Sequence, residues 1–305
     1  MHLAIQSHIV PDGAIYLVDE IEAGLEPHRI RHLLRKFISL INVGGTTQGK
    51  VIMTSHSSVA IAELEAECLC VIRSYKGTTT ADAISKELQD TVRSVADAFL
   101  ARKVLVCEGA TEYGMTRSFD EYWESKGNDS FAFVGLISVD GRGEKAPRRS
   151  LELAKLGYDT ALFIDSDKIT TITPAVADLT AAGVKVFHWA GTVATEQEVF
   201  NCIPWEGVEE LLKYACLLKG EESVYDAICN VLAAKRTEVA PDLRDHFDET
   251  VLRTTIGTVA KKQSWYKSVG KGQVFGNFVL PYLDKIPDST LSKTIQQIHE
   301  WIYAE

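Results

Sequence analysis

Four carboxylates carry the spacing from which chemistry could follow. Glu108 and Glu112 come directly after the apolar run 104–107, and Asp165 and Asp167 directly after the apolar run 160–164. Both runs have strand character, so each strand would end in a pair of acids. Asp165 and Asp167 are two residues apart, and both can turn toward one ion where the strand stops. Glu112 lies one helical turn beyond Glu108 if a helix opens after Gly109. Two like charges ~4 Å apart at an effective dielectric of ~20 repel by roughly 4 kcal/mol, so such a gathering needs protons or cations between its members. Hard oxygen donors with no His or Cys in the set favour magnesium or manganese over zinc. A carboxylate-bound ion of that kind can clamp a phosphodiester and activate a water, and paired ions do so in many nucleases. On this chemistry Glu108 faces the same ion as Asp165 and Asp167 or shuttles a proton, and Glu112 serves a second ion. The competing reading is two unrelated solvated loops, since a lone Glu-x-x-x-Glu in an acidic chain means almost nothing.

The elements that must position these acids follow from the pattern around them. The spacing predicts a helix over 82–100, a helix over 113–126, a strand over 131–139, a short helix over 150–156 and a strand over 185–189, with Thr195-Glu196-Gln197-Glu198 just beyond. Strands alternating with helices imply a parallel sheet with right-handed crossovers. Its carboxyl edge, where open α/β sheets bind ligands, would collect Glu108, Asp140, Asp165 and the 195–198 stretch. Asp140 sits among glycines and reads as a turn former. Ser166 is a ligand or a satisfied loop hydroxyl. Arg142, Lys145, Arg148 and Arg149 surround Gly141, Gly143 and Pro147. Such a basic loop suits contact with a DNA backbone, or is simply solvated. His188 reads as a packing or surface residue.

Val-Leu-Val-Cys-Glu-Gly-Ala-Thr-Glu followed by Ala-Leu-Phe-Ile-Asp-Ser-Asp resembles a Toprim domain, the metal-binding module of topoisomerases, primases and certain nucleases. The Glu-Gly-x-Thr-Glu form is similar to that of the OLD (overcoming lysogenization defect) family nucleases. The resemblance implies a DNA endonuclease using two Mg2+ or Mn2+ ions, with Glu108 catalytic and Glu108, Glu112, Asp165 and Asp167 as metal ligands. In relatives an acid after the next strand completes the second ion's shell; Glu196 is the candidate and Glu198 the alternative.

The first segment carries a second resemblance. Residues 14–18 form an apolar run ending in Asp19-Glu20, the Walker B form, in which the Asp holds magnesium. The Glu-Ala-Gly-Leu-Glu-Pro that follows is similar to the loop after Walker B in ABC-type ATPases. A helical stripe (Ile30, Leu33, Leu34, Phe37, Ile38, Ile41), a strand over 51–54 and His56, which resembles the switch histidine, complete the order. Gly44 to Lys50 matches the spacing of a phosphate-binding loop. However, Val51 replaces the required Ser/Thr, and the loop precedes a strand instead of opening a helix. It reads as a helix-to-strand connection. With no true Walker A loop, Asp19, Glu20 and His56 are expected to form an incomplete nucleotide site, with ATP relevant only in a full-length context.

Length and composition frame this. The 305 residues suffice for two or three domains, with 46% hydrophobic and 24% charged residues as in ordinary globular proteins. The net charge of −10 argues against a broadly basic nucleic-acid coat but not against a nuclease with local basic patches. The six cysteines make no CxxC, no apolar run reaches membrane-span length, and residues 1–8 lack signal-peptide character. A cytoplasmic location and no membrane partner are expected.

After Pro204 the pattern is helical, over 208–218, 222–234 and 291–303, with apolar faces that read first as core. Lys261-Lys262-Gln263-Ser264-Trp265-Tyr266-Lys267 mixes cations with aromatics, which can hold nucleic acid by charge and stacking or pack the Trp inward. The OLD resemblance implies a Lys here that approaches the metal site. Lys267 is the candidate to neutralise charge on a scissile phosphate, with Lys261 and Lys271 as alternatives.

The expected fold is therefore α/β: a C-terminal portion of an ABC-type ATPase over 1–76, a Toprim sheet flanked by helices over 77–204, and a mostly helical region over 205–305. The expected function is a metal-dependent DNA endonuclease, part of an ATP-dependent OLD-like nuclease associated with phage defence and oligomeric when full length. The alternative is an inactive Toprim/ATPase-fragment scaffold that binds DNA or a partner. A nucleotide titration is expected to show weak or no ATP binding by this chain; micromolar affinity would contradict the incomplete-site reading.

Overall fold

The computed structural model describes every residue except 1–13, 44, 45, 48, 76, 240, 241 and 305. The expectation about residues 1–8 lies outside the described residues, as do Gly44, Gly45 and Gln48 of the glycine-rich loop. By its contacts the chain divides into two units, residues 1–100 and 101–305.

In the first unit, strand β1 (Ala14–Val18) leads through helix α1 (Pro27–Ile41) and a small antiparallel pair, β2 (Asn42–Val43) and β3 (Thr46–Thr47), to β4 (Gly49–Met53). β1 and β4 pair in parallel, Ala14 opposite Gly49 and Val18 opposite Met53. Pro27 opens α1 where its missing N–H costs nothing. Ile30, Leu34 and Phe37, spaced by one turn, go under the helix with Ile21 and Ala60. Ile15, Leu17 and Ile52 remain exposed.

Helix α2 (Ser58–Glu63), the antiparallel hairpin of β5 (Cys70–Tyr75) and β6 (Thr78–Ala83), and helix α3 (Gln89–Ser94) complete the unit. This corrects the helix expected over 82–100. Asp82 and Ala83 pair with Val71 and Cys70, and only from Lys86 does the chain turn helical, in short 3-10 and α segments broken at Val95. Of the apolar stripe that the helical spacing marks as core, Ile84, Val92, Val95 and Phe99 are buried and Leu88 is half-buried. The threonine run at 78–80 was the missed strand signal, with Gly77 at φ +80° making the turn. An inter-domain boundary after residue 76 would fall in this hairpin turn.

The second unit runs in order through β7 (Lys103–Cys107), α4 (Ala110–Ser125), α5 (Phe131–Val134), β8 (Leu136–Asp140), α6 (Ala146–Lys155), β9 (Asp159–Ile164), α7 (Val176–Ala181), β10 (Lys185–His188) and α8 (Thr195–Cys202). Helices α9 (Trp205–Lys219), α10 (Glu221–Val231), α11 (Arg236–Val239), α12 (Glu249–Lys262), α13 (Val269–Val279) and α14 (Thr290–Tyr303) follow. The four strands form one parallel sheet in the order β10-β9-β7-β8. The chain leaves β7 for β8 on one side and returns to β9 on the other, so β7 and β9 flank a topological switch point, where open sheets hold ligands.

The strand expected over 131–139 is also corrected. Ser130 caps a short helix by accepting from the Phe133 N–H, and Gly135 closes it in the left-handed region, so the strand starts only at Leu136. The late helices do not stand apart from the sheet. Leu105, Phe163 and Trp189 share one buried core with Leu211, Ile256 and Phe275. Trp265 and Tyr266 are fully inside it, which removes them as base-stacking platforms.

Two helix crossings depend on missing side chains. A Cβ on Gly114 would lie 2.3 Å from Val269 O, one on Gly272 2.5 Å from Thr111 O, and one on Gly276 2.1 Å from Ser118 Oγ. α13 thus lies backbone to backbone on α4, beside Glu112. Gly257 does the same for α12 on α8, where a Cβ would sit 2.8 Å from Gln197 Cα. Overpacking of this kind costs about 1–3 kcal/mol. Gly272→Ala is expected to destabilise by about that amount in urea unfolding, and an unchanged midpoint would show that the crossing tolerates a methyl group.

Candidate functional site

The sheet register brings the predicted acids to one edge. Cys107 lies opposite both Asp140 and Phe163, so β7 and β9 end level, and Glu108 N–H donates to Phe163 O at 2.8 Å. One residue further, the Asp165 N–H donates to Glu108 Oε2 at 2.9 Å. Glu112 reaches back from the first turn of α4 to the Gly109 N–H at 3.2 Å, which ties the helix start to the strand end. At the N-terminus of α8, Thr195 donates to Asp165 Oδ1 from both its backbone N–H and its hydroxyl, each at 2.7 Å, and the hydroxyl lies 2.8 Å from Glu112 Oε1. Glu196, the next residue, is buried and feels Asp165 electrostatically.

Of the two candidates on α8, Glu196 is the one beside Asp165. Glu198 is buried on another face of α8, where it accepts from the Thr290 hydroxyl at the start of α14 and from the Cys202 thiol at the end of its own helix.

The electrostatics are those of acids packed against one another. Burial raises the Glu108 carboxyl above its ordinary range, with Asp165 adding to the effect. Burial, then Asp165 and Glu196, hold Glu112 well above it. Asp165 is raised by burial although Thr195 pulls the other way. Glu196 is pushed up to about 7 by burial and by Asp165, with Lys261 and Lys267 in partial opposition. Lys261 Nζ is ion-paired with Asp167. Although burial works against its charge, the bond to Asp167 and the nearby Asp165 and Glu196 raise the Lys261 ammonium above its usual range.

Lys261, the alternative in the sequence reading, is therefore the cation in direct contact with the acids. Lys267 is exposed and acts on Glu196 through space. Lys271 is half-buried in the first turn of α13, beside its Ser268 cap. The signal for Lys261 was its place four residues after Gly257, the point where α12 rests on α8.

The remaining candidates divide. Asp140 Oδ1 accepts from the Arg142 N–H at 2.8 Å, as a turn former does. Ser166 exchanges hydrogen bonds with Val193 and is a satisfied loop hydroxyl. Arg142 and Lys145 are exposed, and Arg148 pairs with Glu152 on its own helix. The loop carrying them is tied to the site, because the Gly143 N–H donates to Glu108 O at 2.6 Å and the Gly141 N–H to Cys107 O at 2.7 Å. His188 is exposed, its Nδ1 against Trp189 O.

Among the described residues, no three His, Cys, Asp or Glu side chains form a ready-made metal cage. Their oxygens are instead turned onto Thr195, backbone N–H groups and Lys261. The donor set still fits a hard divalent cation: oxygen-only, buried at Glu112 and Glu196 and half-buried at Glu108, Asp165 and Asp167, and carrying more acid than nearby cations neutralise. Glu108, Asp165 and Asp167 would hold one ion, and Glu112 and Glu196 would complete a second.

In the first unit, Thr54 Oγ1 donates to Asp19 Oδ1 at 2.6 Å and accepts from the Glu20 N–H at 2.8 Å, and Glu20 has φ +45°. Glu22, which sequence reading passed over, accepts from Ser55 Oγ at 2.7 Å and from the His56 N–H. Its carboxyl lies below the usual range, since these bonds outweigh its burial. Glu22 thereby holds the loop that carries His56.

Comparison with known proteins adds a little. Residues 2–62 match the family described as "AAA domain, putative AbiEii toxin, Type IV TA system", consistent with an ATPase-like fold in that segment. The C-terminal region of the Xanthomonas campestris pv. campestris OLD protein is a structural neighbour at 16% identity. The alignment covers 67% of this chain and 95% of that one, with a TM-score of 0.33. No curated protein matches the chain. Among the described residues no helix is long and apolar enough to cross a membrane.

The raised Glu196 carboxyl makes a pH prediction. Its folded pKa lies above its unfolded one, so the folded state holds the proton longer, and stability falls as pH rises from about 4.5 to about 7. The loss is on the order of 3 kcal/mol for a shift of this size. In chelator, Glu196→Gln is expected to melt above the parent at pH 8 and to match it near pH 5. Equal melting temperatures at pH 8 would mean that Glu196 ionises without penalty.

Proposed function

We propose that the chain is the nuclease part of an OLD-like protein, a Toprim-type, Mg2+- or Mn2+-dependent DNA endonuclease. The observation that carries this is the meeting of Glu108 and Asp165 at the switch point between β7 and β9, with Glu112, Glu196 and Asp167 gathered around them. Bound there, divalent ions supply a clamp on a phosphodiester and an activated water.

The chain's own residues do the rest. Glu108 and Asp165 are half-buried, which limits the water competing for their carboxyls. Glu108, with its raised affinity for a proton, is suited to take one from an attacking water. Lys261 rests on Asp167, so its ammonium is at hand for charge developing on a phosphate oxygen; Lys267 can supplement it. The loop of Arg142, Lys145 and Arg148 lies next to Glu108, where a DNA backbone would pass. ATP acts only in a full-length context through Asp19, Glu20 and His56. A cytoplasmic role in phage defence and assembly as a homo-oligomer belong to the same proposal.

The test is supercoiled plasmid with magnesium, manganese or calcium, with and without chelator. Metal-dependent nicking is expected, falling by at least about tenfold to a hundredfold in Glu108→Gln and Asp165→Asn, the scale of losing a metal partner. Nicking that is absent in the parent, or unchanged in both variants, would remove the endonuclease reading and favour a non-catalytic scaffold.

A further inference from the structure

Two residues that no motif names, Thr195 and Trp189, are joined by a hydrogen bond beside the acid pair. Thr195 Oγ1 lies 2.8 Å from Glu112 Oε1 and 2.7 Å from Asp165 Oδ1, and so touches a residue of α4 and a residue after β9 at once. A hydroxyl has one proton and two lone pairs. The Trp189 indole N–H donates into the same oxygen at 2.8 Å. With one lone pair taken, the single hydroxyl proton goes to one acid, and the other acid meets the remaining lone pair through a proton of its own.

Thr195 and Trp189 are both fully buried, so water does not compete for these bonds. Each is also held from behind. The Trp189 ring stands edge-on to Phe163 at 5.2 Å, two residues before Asp165. The Thr195 backbone is fixed at the first turn of α8, where Gln197 returns to the Ala194 N–H at 3.0 Å and packs under Gly257.

We infer that Trp189 and Thr195 are a positioning pair: the indole orients the hydroxyl, and the hydroxyl sets the spacing of Asp165 and Glu112, and so of the two neighbouring ion sites they serve. This rests on the metal-site reading above. A purely structural alternative exists, in which Thr195 serves only to satisfy a buried indole. The two differ in what they do to ion affinity, since partners that orient a metal ligand change affinity by about 10–100-fold when lost.

The experiment is a calorimetric titration of Mn2+ into the whole chain, with folding followed by circular dichroism. Thr195→Val keeps the shape and removes the hydroxyl, and it is expected to weaken Mn2+ binding by about 10–100-fold. Thr195→Ser restores the hydroxyl and is expected to restore most of the affinity. Trp189→Phe, which removes the N–H but leaves a ring, is expected to fall between the parent and Thr195→Val.

A folded Thr195→Val with parental affinity overturns the inference, as does a Thr195→Ser as weak as Thr195→Val, which would assign the effect to packing. Should Thr195→Val not fold, Trp189→Phe decides: parental affinity there overturns the pair. A parent that binds no Mn2+ refutes the metal-site reading itself and this inference with it.

Discussion

Mutual repulsion among buried carboxylates is the constraint around which the second unit is built. Glu108, Glu112, Asp165 and Glu196 all hold their protons more tightly than free acids do, first because they are buried and then because they face one another. No single contact makes such a cluster tolerable. Hydrogen bonds from Gly109, Asp165 and Thr195 N–H groups take part of the charge. The first turns of α4 and α8 add their positive dipole ends. Lys261 contributes one full positive charge at Asp167. What is left over is a standing preference for a proton or a cation.

That requirement explains why the helices beyond residue 204 share a core with the sheet. The cation comes from α12, and α12 reaches the sheet edge only because Gly257 lets it lie against α8. α13 lies on α4 through Gly272, Gly276 and Gly114, next to the turn that carries Glu112. Glycines here serve close approach, not turns. Burying Trp265 and Tyr266 anchors the segment between the two helices, which leaves Lys261 and Lys267 at the surface around the acids.

The first unit shows the same device on a smaller scale. Asp19 is held by Thr54, and Glu22 holds Ser55 and His56, so the loops at the ends of β1 and β4 are stitched by acid-to-hydroxyl and acid-to-amide bonds. Glu22 is spent on this clamp and keeps its charge readily, unlike the acids of the second unit.

The sequence by itself determined the α/β class of both units, the strands ending in acids and the identity of those acids, because period-two and period-3.6 burial are local and a strand end must expose its next residue. It misjudged 82–100 and 131–139, where an apolar run fits either a strand or a helix and partner strands or caps decide. Only the tertiary structure decided that Glu196 and not Glu198 lies beside Asp165, that Lys261 sits on Asp167, and that Thr195, backed by Trp189, meets Glu112 and Asp165. Each of these depends on which face of one helix meets an element distant in sequence. Such meetings are governed by glycine-to-backbone contacts and buried hydrogen bonds, which leave no period in the chain.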